Sequence, residues 1–367
     1  MIYINLPKIG EEEVQAVVKV LRSGMLTSGL GAGLEVSAFE KSFADFACAK
    51  HAVAVNTGTA ALHSAVLAVG VKQGDEVILP SFTFVATAEA IVLAGAKPVF
   101  ADIDPKTYNL SPSAVVKALT KKTKAILPVD LYGFSADMKP IKEIASKHDL
   151  AVVEDAAQAH GTTYEGKPAG VFADAACWSL YASKNMTTGE GGVVTTNDDQ
   201  IAETLRMIRT HGEKAKYASL MLGTNYRMSE IQAAIGNVQM QKLPSFIAKR
   251  RQNAQQLTKL LEKNSKLDLP YETKDRLHSW YLYTARLKDA TEEQRNQLVD
   301  ELKKKGIGAE VYYINPVHQM PFYRENFGST KLPQTEKASK QVFSLPIHPG
   351  VTAEQTKFIG ETVLSLL

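Results

Sequence analysis

Between residues 52 and 210 the chain alternates short apolar runs with helical stretches. Seven of these runs are short and apolar enough to be strands: 52–55, 75–80, 97–102, 124–129, 150–155, 174–180 and 192–196. Strands that are apolar on both faces and separated by helices are typical of a parallel sheet covered on both sides. The pattern therefore predicts an α/β domain built on a mostly parallel seven-stranded sheet.

After about residue 211 the pattern changes. It predicts a long helix through Leu243, a second helix that begins at Pro244, and strands at 280–287 and 308–313. Capping boxes at Thr291 and Thr352 predict the starts of two further helices. We expect a large domain over residues 1–240 and a small C-terminal α+β domain over residues 241–367.

Composition excludes several classes of protein. The 367 residues are 45% hydrophobic and 22% charged, and the formal net charge is only +3. Because no basic tract carries interleaved aromatic residues, we expect no nucleic-acid partner. No apolar run approaches the length of a membrane span and no signal peptide is recognisable, so we expect a cytoplasmic protein without a membrane partner.

The two cysteines, Cys48 and Cys177, lie far apart in apolar surroundings. Their positions lack metal-ligand spacing, so we expect no metal site. Buried thiols in a reducing compartment are the interpretation that this pattern favours.

The candidate chemistry centres on a lysine and a carboxylate. The apolar run 174–180 leads into a glycine-rich segment that presents Lys184, and the run 150–155 ends in Asp155. Such a lysine is usually a solvated loop residue, and such an aspartate is often the N-cap of a helix, here one that begins at Ala156. Together they match what a pyridoxal phosphate enzyme requires, namely an amine for the aldehyde and an anion for the pyridine nitrogen.

A third segment supplies a candidate phosphate site. The run 52–55 is followed by a turn that leads directly into a helix containing Gly58, Thr59 and Ala60. Unpaired amides at a helix N-terminus bind phosphate, and the helix dipole adds to the attraction. Ser179, at the end of the run that precedes Lys184, is positioned to add its hydroxyl.

Five segments in this order resemble the DegT/StrS-type nucleotide-sugar aminotransferases, a family of fold type I pyridoxal phosphate enzymes. The matching segments are Thr27-Ser28-Gly29, Pro80-Ser81-Phe82-Thr83-Phe84, Glu154-Asp155-Ala156-Ala157-Gln158, Lys184-Asn185 and Tyr226-Arg227-Met228-Ser229-Glu230. The resemblance covers nearly the whole chain.

The resemblance implies a role for each cofactor residue. Lys184 forms the Schiff base and then moves the proton, Asp155 pairs with the pyridine nitrogen, and Gln158 donates to the phenolic oxygen. Phe84 stacks on the ring, although a phenylalanine in this context is more often a core residue. Asn225 reaches the phosphate from the neighbouring subunit, which implies a homodimer with shared active sites.

The resemblance also implies the substrates. L-Glutamate is the expected amino donor, and the acceptor is a keto group on a nucleotide-linked sugar of surface-polysaccharide or secondary-metabolite biosynthesis. Thr27, Arg227, Tyr312 and His318 match substrate-lining positions, although a connecting loop or a sheet edge explains most of them equally well. A branch that dehydrates sugars carries histidine in place of Lys184, so the lysine favours amino transfer.

Two alternatives remain open at this point. One is an aminotransferase that acts on a free cyclic ketone such as an inosose. The other is a non-catalytic regulator, which the near-neutral charge and the intact Lys184 oppose.

Overall fold

The computed structural model describes residues 1–29 and 31–367. The α-helices are α1 (Glu11–Ser23), α2 (Leu34–Ala47), α3 (Gly58–Ala68), α4 (Ala86–Leu93), α5 (Pro112–Ala118), α6 (Met138–His148), α7 (Asp199–Arg209), α8 (Glu230–Leu261), α9 (Glu292–Lys304), α10 (Pro321–Phe327), α11 (Pro333–Gln341) and α12 (Ala353–Leu366).

The strands range from two to five residues in length. They are β1 (His51–Val55), β2 (Glu76–Pro80), β3 (Lys97–Ala101), β4 (Thr123–Ile126), β5 (Ala151–Asp155), β6 (Thr163–Tyr164), β7 (Lys167–Pro168), β8 (Ala175–Ser179), β9 (Gly192–Thr196), β10 (Glu213–Ala215), β11 (Ala218–Ser219), β12 (Leu267–Asp268), β13 (Arg276–Leu277), β14 (Tyr283–Leu287) and β15 (Val342–Leu345).

The large sheet confirms the predicted architecture. Its seven strands lie in the order β1-β9-β8-β5-β4-β2-β3, and each corresponds to one of the predicted apolar runs. Every neighbouring pair is parallel except the two pairs that involve β9. Six strands therefore point the same way, and their C-terminal ends lie at one edge of the sheet.

Alternate side chains along a strand of the large sheet point to opposite faces and pack in different hydrophobic cores. On β8, Ala175 and Cys177 pack with α3, whereas Ala176 and Trp178 pack with Phe39 and other residues of α2. Because both faces of the strand are covered, the strand is apolar along most of its length. Only its last residue, Ser179, carries a polar group to the sheet edge.

The break predicted at Pro244 is wrong, because α8 is one helix of 32 residues that contains this proline. An interior proline removes a hydrogen bond and usually kinks or ends a helix. Here the first half of α8 packs on α1 and α2 and the second half packs on α12, with Gly236 lying against Phe39. Tertiary packing on both halves stabilises the continuous helix across the proline.

The small sheet differs from the prediction in one strand. The segment 308–313 forms a single bridge, Glu310 to Ser344, and is not a strand. The backbone of Gly308 instead donates to the oxygen of Ile2, so the N-terminal segment takes the hydrogen bonds that a strand would use. The strand that pairs with β14 is β15, which gives the antiparallel order β12-β14-β15.

The proposed division at residue 240 lies inside α8. Residues before the division pack against the large core, and residues from Ala254 onward pack with β14, α9 and α12. Two segments cross this division, because Ile2 packs with the small core and Val317 packs with the large core. The division of the chain into two domains stays a prediction.

Helix α4 begins at Ala86, after bends at residues 81–83 and a turn at Val85. The prediction for one of the two cysteines is wrong. Cys48 is exposed at the C-terminal end of α2, with a φ of 50°, whereas Cys177 is buried as expected. Among the described residues, no helix combines the length and the apolar character needed to cross a membrane.

Candidate active site

The candidate residues lie at the edge of the large sheet where its parallel strands end. Asp155 is the last residue of β5, and it is paired with Cys177 of the adjacent strand β8. Ser179 ends β8 and leads into the turn that carries Lys184. Gly58 follows β1, and Ser81 follows β2. The crevice outside the C-terminal ends of such strands is where ligands bind in this class of sheet.

Asp155 is a buried carboxylate with defined partners. Its Oδ2 accepts a hydrogen bond from Thr87 Oγ1 at 2.8 Å, and its Oδ1 accepts one from the Ala157 amide at 3.1 Å. Burial raises the pKa of Asp155, and the two hydrogen bonds and the positive charge of Lys184 oppose that shift. The predicted helix at Ala156 is absent and the residues form a turn, so Asp155 is not a helix N-cap.

Lys184 is half-buried on the turn between β8 and β9. Its backbone amide donates to Tyr181 O at 2.9 Å, which closes the turn. Its Nζ lies 4.6 Å from the ring centroid of Tyr281, a residue from the segment that precedes β14. Among the described residues no carboxylate oxygen lies within ion-pairing distance of this amine. The lysine is therefore held by an aromatic face and not by a salt bridge.

The turn from β1 into α3 forms the candidate phosphate site. Thr57 is the N-cap, and its Oγ1 accepts the Ala60 amide at 3.0 Å. Within the described residues, the amides of Gly58 and Thr59 have no acceptor. These two amides are available to a phosphate, whereas the Ala60 amide is already occupied.

Close packing holds this turn against Ser179. A Cβ on Gly58 would lie 2.8 Å from the Cβ of Ser179, and a Cβ on Gly192 would collide with the carbonyl oxygen of Thr57. Only glycine leaves room for this approach of three segments. Free amides, a serine hydroxyl, a buried carboxylate and a half-buried lysine thus lie along one edge, which fits pyridoxal phosphate.

Gln158 is held between two tyrosines. Its Oε1 accepts the Tyr132 amide at 2.6 Å, and its Nε2 donates to Tyr313 Oη at 2.9 Å. Tyr132 and Tyr313 stack with ring centroids 6.4 Å apart, and both have left-handed backbone conformations with φ of 61° and 65°. Such strain is retained where the surrounding structure enforces it, often at functional sites. The second Nε2 hydrogen of Gln158 remains for the predicted bond to the cofactor.

Phe84 is not a core residue. Its side chain is 58% exposed, on the turn that precedes α4 and close in sequence to Thr87, the partner of Asp155. This exposure favours the stacking role over the core alternative. That role stays a prediction.

The three polar residues predicted to meet substrate or a second chain lie near the surface. Asn225 is exposed, and its backbone runs beside Asn56 at the end of β1. The backbone of Arg227 forms an isolated antiparallel β-bridge with Val55, and its side chain forms no ion pair with any described residue. Thr27 is exposed in the loop that precedes α2. All three side chains are accessible to a ligand.

That loop is fastened to α8 by a buried carboxylate. Glu230 accepts the amides of Gly33 at 3.0 Å and Glu35 at 2.7 Å, and its own amide donates to Leu26 O at 3.0 Å. A carboxylate at a helix N-terminus satisfies free amides and complements the dipole. Glu230 therefore joins the start of α2 to the start of α8.

His318 is 3% exposed and lies beneath the site. Its Nδ1 is 2.7 Å from Ser81 Oγ, and Ser81 Oγ accepts the His318 amide at 2.9 Å. A second anchor lies nearby, because Asp102 Oδ1 accepts from the amide and the hydroxyl of Thr335 at 2.9 Å. These contacts tie the segment around α10 to the ends of β2 and β3. They favour a structural role for His318 over the predicted substrate contact.

Tyr312 packs beside a residue that contacts Gln158. It is half-buried, and its ring centroid is 6.2 Å from that of Tyr313, which holds Gln158. Burial raises the pKa of its hydroxyl well above the ordinary value, so the group is a neutral donor. This position is compatible with the predicted substrate contact.

Two further buried carboxyl groups, those of Asp130 and Glu154, lie close enough to Asp155 to feel its charge. Asp130 accepts the Ala136 amide at 2.8 Å, and Glu154 accepts the Gly170 amide at 3.0 Å. The second oxygen of each group has no hydrogen-bond partner among the described residues. Burial raises the pKa of both, and the negative charge of Glu154 adds to the shift of Asp130. Burial thus favours the neutral forms, which limits the negative charge that accumulates near Asp155.

Three residues of the site carry no signal in the sequence. Thr87, Tyr281 and Tyr313 contact Asp155, Lys184 and Gln158 across 68, 97 and 155 positions of the chain. Each stands in an unremarkable apolar or aromatic run. Of the three, Tyr313 alone stands out by its left-handed φ, which is visible in the structure and not in the sequence.

Comparison with known proteins decides the family. Residues 7–364 match the model of the DegT/DnrJ/EryC1/StrS aminotransferase family. The chain belongs to this family. It is therefore a fold type I enzyme, an aminotransferase that uses pyridoxal phosphate.

Individual relatives cover nearly the whole chain. A pleiotropic regulatory protein of Geobacillus stearothermophilus is 42% identical over 364 residues, which are 98% of this chain and 96% of that protein. GDP-perosamine synthase of Caulobacter vibrioides is 38% identical over 354 residues, 96% of this chain and 94% of the relative. A putative sugar aminotransferase of Streptococcus pneumoniae, solved in its PLP form, is 29% identical with a TM-score of 0.93, covering 99% of this chain and 97% of that one.

Proposed function

We propose that this aminotransferase moves an amino group from L-glutamate to a keto group of a nucleotide-linked sugar, in the cytoplasm, for polysaccharide or secondary-metabolite biosynthesis. The observation that carries the proposal is the position of Asp155 at the end of β5 and of Lys184 on the turn that follows the adjacent strand β8, on the same sheet edge as the free amides of Gly58 and Thr59. The similarity to a GDP-perosamine synthase supports the class of acceptor.

Pyridoxal phosphate supplies an aldehyde that condenses with amines and a ring that accepts electrons. We assign its ring nitrogen to Asp155, its phosphate to the α3 N-terminus and Ser179, and one ring face to Phe84. Lys184 would supply the amine for the covalent link to the cofactor and would carry the proton between carbon atoms. A half-buried amine without a salt bridge is free to do both.

We also propose that the enzyme is a homodimer in which Asn225 serves the partner's phosphate site. Large apolar side chains are exposed close to this residue, among them Leu220 and Leu222, the latter 91% exposed. Contiguous exposed apolar patches mark surfaces that a partner covers, and these leucines are candidates for such a patch. We expect Asn225→Ala to weaken cofactor retention without dissociating the dimer, measured by dialysis and by sedimentation. Unchanged retention would contradict the shared site.

One assay tests donor and acceptor together. The purified holoenzyme is incubated with glutamate and a panel of keto-sugar nucleotides, and 2-oxoglutarate release is followed. We expect release with at least one nucleotide-linked ketone and none with the Lys184→Ala variant. Turnover of a free inosose alone would establish the cyclic-ketone alternative.

The regulatory alternative takes support from one relative, which is named a pleiotropic regulatory protein. Lys184→Ala separates the two functions, because an enzyme loses its covalent link to the cofactor and a regulator does not need one. A regulatory effect that survives this substitution in cells, with no transaminase activity in the wild type, would favour the regulator.

A further inference from the structure

The amine of Lys184 has an unassigned neighbour in Tyr281. This tyrosine is buried, and it comes from the segment that leads into β14. Its ring centroid lies 4.6 Å from Lys184 Nζ, and its Oη lies 3.0 Å from Ser183 Oγ. One side chain therefore contacts two consecutive residues of the turn that carries the lysine.

The backbone around Tyr281 is pinned from two directions. Arg250 of α8 donates to the carbonyl oxygens of Trp280 at 3.3 Å and Tyr281 at 3.0 Å. On the other side, the amide of Leu282 donates to Tyr132 O at 3.2 Å. Trp280 is held in a left-handed conformation with a φ of 55°, which the surroundings must enforce. Contacts with neighbouring segments therefore fix the backbone that carries the Tyr281 ring.

The charges around the amine make the aromatic contact important. Asp155 lies in the same region without forming an ion pair with Lys184, and the nearby buried cation of Arg250 carries the same charge as the amine. His160 lies nearby with both ring nitrogens unpaired among the described residues, and burial lowers the pKa of His160 to about 3, so it is neutral. The ring of Tyr281 is the group that contacts the protonated amine directly.

We propose that Tyr281 is a positioning residue for Lys184. The ring holds the amine whenever it is not joined to the cofactor, and the hydroxyl restrains the turn through Ser183. A cation–π contact orients an ammonium group without accepting its proton, whereas a carboxylate at the same place would hold the charge more strongly. The lysine stays aimed at the cofactor carbon and remains able to lose its proton. This inference rests on the proposed role of Lys184.

The test uses the apoprotein of the full chain and needs no turnover. Lys184 is acylated competitively over a range of pH, and the modified peptide is measured by mass spectrometry in wild type, Tyr281→Leu and Tyr281→Phe. Near neutral pH we expect Lys184 in Tyr281→Leu to react about two- to fivefold faster than in wild type, because the ring favours the unreactive ammonium form. Tyr281→Phe retains the ring and should react as wild type does.

Three controls keep the test decisive. The limiting rate at high pH, where the amine is uncharged, should be the same in all variants, which separates charge stabilisation from access. Distant lysines should react equally, and Ser183→Ala removes the hydroxyl contact alone. In the holoenzyme, single turnover with glutamate should slow in Tyr281→Leu through the limiting rate constant and not through the half-saturating glutamate concentration.

Two outcomes would overturn the inference. Equal neutral-pH rates in Tyr281→Leu and wild type would show that the ring does not hold the amine. A Tyr281→Phe variant as fast as Tyr281→Leu would show that the ring face is not the cause. A separate result would overturn the proposed function. In that case, borohydride reduction of the wild-type holoenzyme would leave the cofactor attached to a lysine other than Lys184.

Discussion

At the scale of single residues, the electrostatics of the site depend on how Asp155 is kept charged. The carboxylate is buried, which raises its pKa, and only two hydrogen bonds and the charge of Lys184 oppose that effect. The hydrogen bond from Thr87, at 2.8 Å, lowers the pKa more than the one from the Ala157 amide, at 3.1 Å, does. Thr87 therefore tunes the group that we assign to the pyridine nitrogen.

We expect Thr87→Val to weaken pyridoxal phosphate binding by tenfold or more, about 1.5 kcal/mol, because the pKa of Asp155 rises further when the donor is lost. Titration of the apoprotein with cofactor, followed by intrinsic fluorescence, measures the effect. Thr87→Ser retains the hydroxyl and is the matched control. Equal affinity in the valine and serine variants would show that Thr87 does not act through Asp155.

The sequence was enough to single out Lys184 and Asp155 as candidates, because Asp155 ends an apolar run, Lys184 follows one closely, and both lie in a family motif. It was not enough for Thr87 and Tyr281, since their function depends on which side chain meets them across the fold. Cys48 shows the same limit in the opposite direction: its apolar surroundings predicted burial, yet it is exposed at the end of α2.

At the scale of elements, the connection between α2 and α8 depends on one carboxylate. Glu230 is both the first residue of α8 and the acceptor for the first amides of α2. A Cβ on Gly33 would lie 2.5 Å from Glu230 Oε1, so the two segments already touch. The loop with Thr27 is consequently positioned by the same residue that starts the longest helix.

We expect Glu230→Ala to lower the free energy of unfolding by about 2–3 kcal/mol, because buried amides of α2 lose their acceptor. Glu230→Gln retains one acceptor oxygen and should cost about 1 kcal/mol. Urea denaturation measures both, and hydrogen exchange at Gly33 and Glu35 should accelerate. Glu11→Ala, on an exposed first turn, is the control. Slow exchange in the alanine variant would contradict the capping role.

Element types were more predictable than element limits. Strands of the large sheet follow from composition alone, because burial on both faces requires apolar residues throughout. The proline in α8 and the segment 308–313 were misjudged because local preference competes with packing: α1, α2 and α12 support the helix, and Ile2 takes the hydrogen bonds of Gly308. Neither competitor is visible within a local window of sequence.

At the scale of the whole molecule, buried histidines make stability depend on acid. Burial lowers the pKa of His160 to about 3, and Lys184 and Arg250 add to the shift. Its ring packs at 5.4 Å from Trp178 and 6.2 Å from Phe43. The folded state therefore binds fewer protons at this histidine than the unfolded state does. The contribution of neutral His160 to the free energy of unfolding is fully present above pH 6.5 and is lost as the pH falls toward 3.

We expect the apoprotein to lose about 2 kcal/mol more stability between pH 7 and pH 5 than a His160→Leu variant does. Urea denaturation at the two pH values measures the difference, and comparison with the variant cancels every other titrating group. His278, whose pKa burial also lowers to about 3, provides a second case through His278→Leu. Identical pH dependence in wild type and His160→Leu would contradict the neutral buried state.

The proposed dimer predicts complementation between two defective chains. Lys184→Ala removes the amine, and Asn225→Asp places a negative charge toward the partner's phosphate site. If the sites are shared, a mixed dimer contains one intact site, so random mixing should restore about a quarter of the wild-type sites. Activity after mixing and refolding measures this. No recovery, with mixed dimers detected by mass spectrometry, would place Asn225 and Lys184 in the same chain's site.

The double attachment of the segment around α10 limits how this enzyme can open. Ser81 holds one end of the segment through His318, and Asp102 holds the other through Thr335, so swinging the C-terminal part away would expose several buried polar groups at once. A hinged motion that lifts this segment is therefore disfavoured. Attempts to broaden the acceptor range should begin at the exposed loop that contains Thr27 rather than with such a motion.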